Sequence, residues 1–266
     1  MNLIDDLLTS LPDGPVKDVR VGAFWTAVVV EVDGVRRCGL ASTLRDENHR
    51  HNGRPAAQDA GGLTQYSARE LAEFIRCYQP LTAAIGLAAI NALLPMQAES
   101  WHDRNAEDVL AQHGAGKRVV LVGHFPFIPR LRERVGSLWV LEQQPRGKDL
   151  PAESASRVIP RADVVAITGT SLINHTFDQL LALCRPQTQV LILGPSTPLS
   201  PILFDHGVDL LSGSVVESVG TVIRAVSQGA NFQQVHRKGV RLVTMQKGRT
   251  KPYYEQYKKS SLLMRQ

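Results

Sequence analysis

Two polar turns, each following a short apolar run, carry the residues best suited to hold a ligand. The first lies in DVVAITGTSLINHTF at residues 163–177, and the second is GPSTP at residues 194–198. Open α/β sheets bind ligands where a buried parallel strand ends in a polar turn and a helix begins. The turns therefore predict one pocket, whose ligand-binding candidates are Thr168, Thr170, Ser171, Asn174, Gly194, Ser196 and Thr197.

Helix capping is the alternative explanation for the first turn. Ser171 or Asn174 would then satisfy free N–H groups at the start of the following helix. Capping explains one or two of these residues but leaves the matching second turn unexplained. Two prolines hold that second turn rigid, which suits a preformed ligand pocket.

A nucleotide ligand is a second hypothesis. The strand predicted at 118–122 ends in GHFP, without the G-x-G-x-x-G turn that dinucleotide-binding proteins use. Glu142 nevertheless follows Gly123 by nineteen residues, at the end of the next strand, where a Rossmann protein places its ribose-binding acid. The sequence disfavours conventional NAD and leaves two possibilities for Glu142: a ribose contact in a nucleotide- or S-adenosylmethionine-type enzyme, or a solvated strand end.

Histidines are the candidate metal ligands. His124, beyond a strand end, and His175, beside Asn174, are placed to titrate near neutral pH or to bind a transition metal. His49 and His51 flank an arginine on a polar stretch, which favours a solvated loop over a metal site. The sequence contains no closed zinc motif, G-x-S-x-G, P-loop or paired-carboxylate signature, so it does not name a reaction.

The first hundred residues predict a small α+β domain. Asp33-Gly34 is a strong hairpin signal between two β-branched runs. Asn91 lies on a predicted Ala-rich helix, where its amide either satisfies local backbone or points into a shared crevice. The expected elements are a helix at 3–11, strands at 24–32 and 35–41, a long loop at 44–62, and helices at 67–78 and 82–94.

Residues 101–245 alternate between strand and helix patterns, which predicts a mainly parallel sheet covered on both faces. The fold class is therefore α/β, with a small N-terminal domain, a Rossmann-like domain at 101–245 and a tail at 246–266. The strands are expected at 118–122, 137–141, 164–167, 189–193 and 208–211, and the helices at 106–113, 127–134, 174–184, 200–205 and 215–228.

Composition and charge limit the kinds of partner and the cellular compartment expected for this protein. The net charge of +5 comes largely from the tail, so it does not indicate a nucleic-acid groove. No apolar run is long enough to cross a membrane, the N-terminus lacks a signal-peptide pattern, and three scattered cysteines fit a reduced, cytoplasmic protein. Two hypotheses about assembly remain: that the protein is a homo-oligomer, and that it is a scaffold whose basic tail engages a partner.

Four motifs together resemble the Putative heavy-metal chelation family. They are GLASTL at 39–44, GLAAINA at 86–92, TGTSLINHT at 168–176 and GPSTPLSP at 194–201. The resemblance implies an enolase N-terminal-like domain followed by a Rossmann-like domain, with the site in the cleft between them. It also implies that the cleft holds a small molecule, a metal ion or a metal chelate, so a transition metal is the expected cofactor.

Overall fold

The computed structural model describes residues 2–44 and 57–248. The predicted loop histidines His49 and His51, and most of the basic tail, lie outside the described residues.

The N-terminal part is an antiparallel three-stranded sheet covered by helices. Asp33 and Gly34 both have positive φ (52° and 74°), as a tight two-residue hairpin turn requires, so the predicted hairpin is confirmed. The elements are α1 (Leu3–Ser10), β1 (Val16–Val21), β2 (Trp25–Val32), β3 (Val35–Ser42), α2 (Ala68–Ala72) and α3 (Pro80–Leu93).

Helix α3 is buried almost all round, which its run of alanine and leucine allows. Small residues let it approach its neighbours at backbone distance. A Cβ added at Gly39 of β3 would lie 2.1 Å from the Ala88 carbonyl oxygen and 2.3 Å from the Ala92 nitrogen. Gly39, the first residue of the motif at 39–44, thus allows α3 to pack closely on the sheet.

The larger part is a seven-stranded sheet with helices between its strands. Its strands are β4 (Arg118–Val122), β5 (Ser137–Glu142), β6 (Leu150–Pro151), β7 (Val164–Thr168), β8 (Gln189–Leu193), β9 (Leu210–Val216) and β10 (Val240–Gln246). Its helices are α4 (Ala106–Gly114), α5 (Ile128–Arg132), α6 (Ala155–Val158), α7 (Phe177–Ala182), α8 (Ile202–Asp205), α9 (Val219–Ser227) and α10 (Phe232–His236).

The strand order is that of a doubly wound Rossmann sheet. It runs β10-β9-β8-β7-β4-β5-β6, with every pair parallel except β9 and β10. Counted from β4, the parallel strands stand in the order 3-2-1-4-5-6, so the chain reverses direction across the sheet between β4 and β7. The predicted α/β class is confirmed.

Several boundaries differ from the sequence prediction. The helix expected from Asn174 begins only at Phe177, because residues 169–171 form a 3-10 turn and His175 has a positive φ of 55°. Strand β9 extends to Val216, so the helix expected from residue 215 begins at Val219. Strands β1, β6 and β10 and helices α6 and α10 were not predicted.

The polar segment before α4 forms backbone hydrogen bonds with β10. His102 and Thr244 exchange two backbone hydrogen bonds of 2.9 Å. The domain boundary near residue 100 stays a prediction. None of the described helices is long and apolar enough to cross a membrane.

The close seating of α3 gives a stability prediction. Gly39→Ala should lower the free energy of unfolding by about 1–3 kcal/mol, because the new methyl group would overlap the α3 backbone. Urea denaturation measures the change. Gly220→Ala is the matched control: it lies in α9 with nothing within 4 Å of the added Cβ, and should stabilise by about 0.5–1 kcal/mol. Equal effects of both substitutions would contradict the packing argument.

Candidate functional site

A groove of about 1670 Å³ runs along the carboxyl ends of the parallel strands. The last residue of each of four strands, or the residue that follows, lines it: Gly123 after β4, Glu142 at the end of β5, Thr168 at the end of β7 and Gly194 after β8. Ser42 and Thr43, at the end of β3, line it from the N-terminal part. The predicted strand-end residues therefore meet in one concave surface.

Two glycines with positive φ lie in the groove close to the point between β4 and β7 where the strand order of the sheet reverses. Gly123 and Gly194 both have φ near +105°, at 106° and 104°, a conformation that favours glycine. A Cβ added at Gly123 would lie 3.1 Å from both the Phe125 ring and the Thr168 Cβ. The two glycines flank Thr168, which ends β7 and lines the groove.

The first polar turn combines capping with groove lining. Thr168 accepts a hydrogen bond from the Thr170 backbone N–H at 3.4 Å, and the two threonine hydroxyls lie 2.9 Å apart. The Ser171 hydroxyl donates to the Thr168 carbonyl at 2.7 Å. Capping therefore accounts for Thr168 rather than for Ser171 or Asn174. Thr170, Ser171 and Asn174 all line the groove.

The second turn packs directly on the first. A Cβ at Gly169 would lie 2.7 Å from the Thr197 nitrogen, so only glycine permits this approach. Ser196 and Thr197 are both 1% exposed, but only Ser196 lines the groove. The Thr197 Oγ1 has no hydrogen-bond partner among the described residues. Gly194 and Ser196 of this turn thus belong to the groove, and Thr197 lies behind it.

Ser196 joins the two parts of the protein. Its Oγ accepts the Ser42 backbone N–H at 2.9 Å and lies 3.1 Å from the Ser42 hydroxyl. Asn91, on α3, donates from Nδ2 to the Leu40 carbonyl at 2.9 Å and to the Ser196 carbonyl at 3.4 Å. Asn91 therefore satisfies backbone groups on both sides of the cleft and does not itself line the groove.

A charged cluster borders the groove beyond β4 and β5. Glu142 accepts the His124 backbone N–H from one carboxylate oxygen and the Gln143 N–H from the other, both at 2.8 Å. His124 Nδ1 lies 2.7 Å from Asp149 Oδ2, and the Asp149 side chain is only 3% exposed. Glu142 thus organises the loop after β4, and His124 lines the groove.

The structure does not bring the two candidate metal ligands together in the groove. His175 is absent from the lining residues; its Nε2 lies 2.9 Å from the Cys77 carbonyl oxygen, and its ring packs against Tyr78 at 5.0 Å. Within residues 2–44 and 57–248, no three His, Cys, Asp or Glu side chains form a group that could hold a metal ion. The described residues therefore do not fit a resident metal centre.

Cys38, Cys77 and Cys184 belong to no such group within the described residues, and in the metal-free protein their thiols are protonated. Burial raises the pKa of Cys38 to about 12 and that of Cys184 to about 11, and desolvation also raises the pKa of Cys77. Metal ligation requires the thiolate. At neutral pH these thiols keep their protons.

Sequence reasoning missed the aromatic and N-terminal walls of the groove. Phe125 covers Gly123 and Gly194, with a built Cβ at Gly194 lying 3.6 Å from its ring, and it stacks on Phe127 at 5.2 Å. The two phenylalanines of the GHFPF motif after β4 could have indicated this aromatic wall. Ser42 belongs to the GLASTL motif, but its contact with Ser196 and the pairing of Asp149 with His124 could not be predicted, because these partners lie 154 and 25 residues apart in the chain.

The fold and groove define a two-part α/β protein, with a Rossmann-ordered sheet whose strand ends form a candidate ligand site. A family model described as Putative heavy-metal chelation, DUF364, matches residues 105–245, and a second with the same description, DUF4213, matches residues 4–94. The chain belongs to the Putative heavy-metal chelation family, as its motifs predicted.

Similar proteins are themselves described without a function. An uncharacterized protein of Methanocaldococcus jannaschii is 25% identical over 201 residues, which cover 72% of this chain and 74% of the relative. A crystal structure of a DUF364 protein of unknown function from Desulfitobacterium hafniense matches with a TM-score of 0.77 and 27% identity, covering 92% of this chain and 98% of that one.

A DUF364 protein from Pyrococcus horikoshii matches with a TM-score of 0.76 at 19% identity, over 92% of this chain and 98% of the other. At that identity the likeness speaks for the fold alone.

The Ser42–Ser196 contact predicts unequal effects of two matched substitutions. Ser196→Ala should lower the free energy of unfolding by about 1–2 kcal/mol, because it leaves the Ser42 N–H without its acceptor. Ser42→Ala keeps that hydrogen bond and should cost less than about 1 kcal/mol. Urea denaturation compares the two; a larger cost for Ser42→Ala would contradict this description of the contact.

The raised thiol pKa values predict an order of reactivity. In the folded protein at pH 8, a disulfide reagent such as dithiobis(nitrobenzoate) should modify Cys77 first, because Cys38 and Cys184 are more strongly desolvated. Peptide mapping after partial modification measures the order, and unfolding in urea should equalise the three rates. Early modification of Cys38 would refute the expectation.

Proposed function

We propose that the protein binds a small polar organic molecule, or a metal ion carried by such a molecule, in the groove between its two parts. The observation that carries the proposal is the convergence of Gly123, Thr168 and Gly194 at the reversal point of the sheet. Ligands of open α/β sheets bind at this point. Family membership supports a connection with metal chelation.

The chemistry of the walls favours an organic ligand over a bare metal ion. Hydroxyls and an amide from Thr170, Ser171 and Asn174 line one side, and the stacked Phe125 and Phe127 rings line another. Such a mixture of apolar surface and a few polar groups is typical of small-molecule sites. A metal would therefore enter with ligands of its own.

The N-terminal part contributes to the same surface. Ser42 and Thr43 line the groove, and the Ser42–Ser196 contact holds them against the second polar turn. A ligand that contacts both parts would bury more surface than either part alone offers. The proposed site is accordingly the cleft between them.

A nucleoside-type ligand is the second candidate, and the strand order favours it. Glu142 ends the second strand of a Rossmann-ordered sheet, where a ribose would be held. One observation weighs against it: both carboxylate oxygens of Glu142 already accept backbone hydrogen bonds. The chelator hypothesis is the one we favour.

Calorimetric titration of the full chain tests the proposal. Citrate and catechol, each alone and as its copper(II) complex, are the chelator probes, and adenosine and S-adenosylmethionine are the nucleoside probes. Thr170→Val removes a groove hydroxyl at constant shape and should weaken a chelator probe about 3- to 10-fold, the value of one hydrogen bond.

Thr64→Val is the matched control, because Thr64 is exposed and lies outside the groove; its affinity should equal that of the wild type. Binding of adenosine or S-adenosylmethionine alone, weakened by Glu142→Gln, would replace the chelator hypothesis with the nucleoside one. If no probe binds, or if both threonine variants bind equally, the proposed site is wrong.

A further inference from the structure

His124 and Asp149 form an oriented imidazole–carboxylate pair at the edge of the groove. The Nδ1–Oδ2 distance is 2.7 Å, and the Asp149 side chain is 3% exposed, whereas that of His124 is 35% exposed. Asp149 Oδ2 also accepts the Arg146 backbone N–H at 3.1 Å. The carboxylate is therefore fixed from two sides, and the ring is fixed through it.

This geometry selects one nitrogen of the ring for the groove. An ionised carboxylate accepts a hydrogen bond, so Nδ1 carries the proton that it donates to Asp149. The other nitrogen, Nε2, has no hydrogen-bond partner within residues 2–44 and 57–248, and His124 lines the groove. Its lone pair is then available to a ligand.

We infer that Nε2 of His124 binds the metal of a metal chelate that enters the groove. Metal-binding histidines almost always donate their other ring N–H to a carboxylate, a carbonyl or water, which is the arrangement His124 has with Asp149. This assigns His124 as a direct ligand and Asp149 as the residue that positions it. The inference rests on the proposed function, because it names the class of molecule bound there.

The number of protein ligands also limits how the chelator must coordinate the metal. No group of three potential metal-binding side chains occurs within residues 2–44 and 57–248, so the described residues supply fewer than three bonds there, one of them from His124. The remaining coordination positions must be filled by the chelator, which must leave one position open. Chelates whose metal is fully enclosed by the chelator would gain nothing from His124.

A purely structural pair is the alternative, in which Asp149 and His124 only hold the loops after β4 and β5 together. That role would require the hydrogen bond but not the free nitrogen. The two roles differ in whether a metal chelate loses affinity when the ring is replaced.

The experiment uses copper(II) iminodiacetate, a chelate with open coordination positions, and the full-length protein. Affinity is measured by calorimetry, and imidazole coordination by nitrogen hyperfine structure in electron paramagnetic resonance. His124→Gln should abolish one bound chelate with its imidazole signal. Asp149→Asn should weaken the same site by about 10- to 100-fold, the usual loss when a residue supporting a metal ligand is replaced.

The chain offers a matched control in a second pair, His206 and Asp6, with an Nε2–Oδ2 distance of 2.8 Å and no member lining the groove. His206→Gln should leave the His124 site unchanged. If His124→Gln and Asp149→Asn lower thermal stability yet bind the chelate like the wild type, the pair is structural and the inference fails.

Metal-free iminodiacetate separates this failure from failure of the proposed function. Metal-free binding that Thr170→Val weakens, together with unchanged copper binding in His124→Gln, would overturn only the inference. If Thr170→Val has no effect on either form of the probe, the proposed function fails.

Discussion

Parallel pairing of β7 with β4 on one side and β8 on the other is the constraint on which the site depends. It brings three strand ends to one edge, although the residues lie far apart in the chain. Gly169 then lets the turn after β7 contact the turn after β8 at backbone distance. Without that approach, Ser196 would not reach Ser42, and the groove would lose its second wall.

The polar residues of the site divide into those that build it and those that face it. One set forms hydrogen bonds with backbone groups and so fixes the turns, the cleft and the loop after β4: Thr168, Ser196, Asn91 and Glu142. Thr170, Asn174 and His124 remain at the surface of the groove. The first set fixes the backbone of the turns, and the second set leaves hydroxyl, amide and imidazole groups at the surface of the proposed site.

Much of the fold could be predicted from local patterns. The Asp33-Gly34 hairpin, the strands β4, β5, β7 and β8 and the family motifs all depend on residues close together in the chain. The late start of α7 and the existence of β10 could not be predicted. Helical periodicity at 174–184 did not reveal the positive φ of His175, and β10 is held by its antiparallel pairing with β9.

For the site, the sequence by itself determined the strand-end chemistry: glycine, threonine, serine and asparagine directly after buried apolar runs. Only the tertiary structure decided which of these residues face the groove. It placed Thr197 behind the surface, left His175 outside the lining and paired His124 with Asp149. The physical reason is that a side chain's chemistry is local, whereas its burial and its partners depend on which distant backbone folds against it.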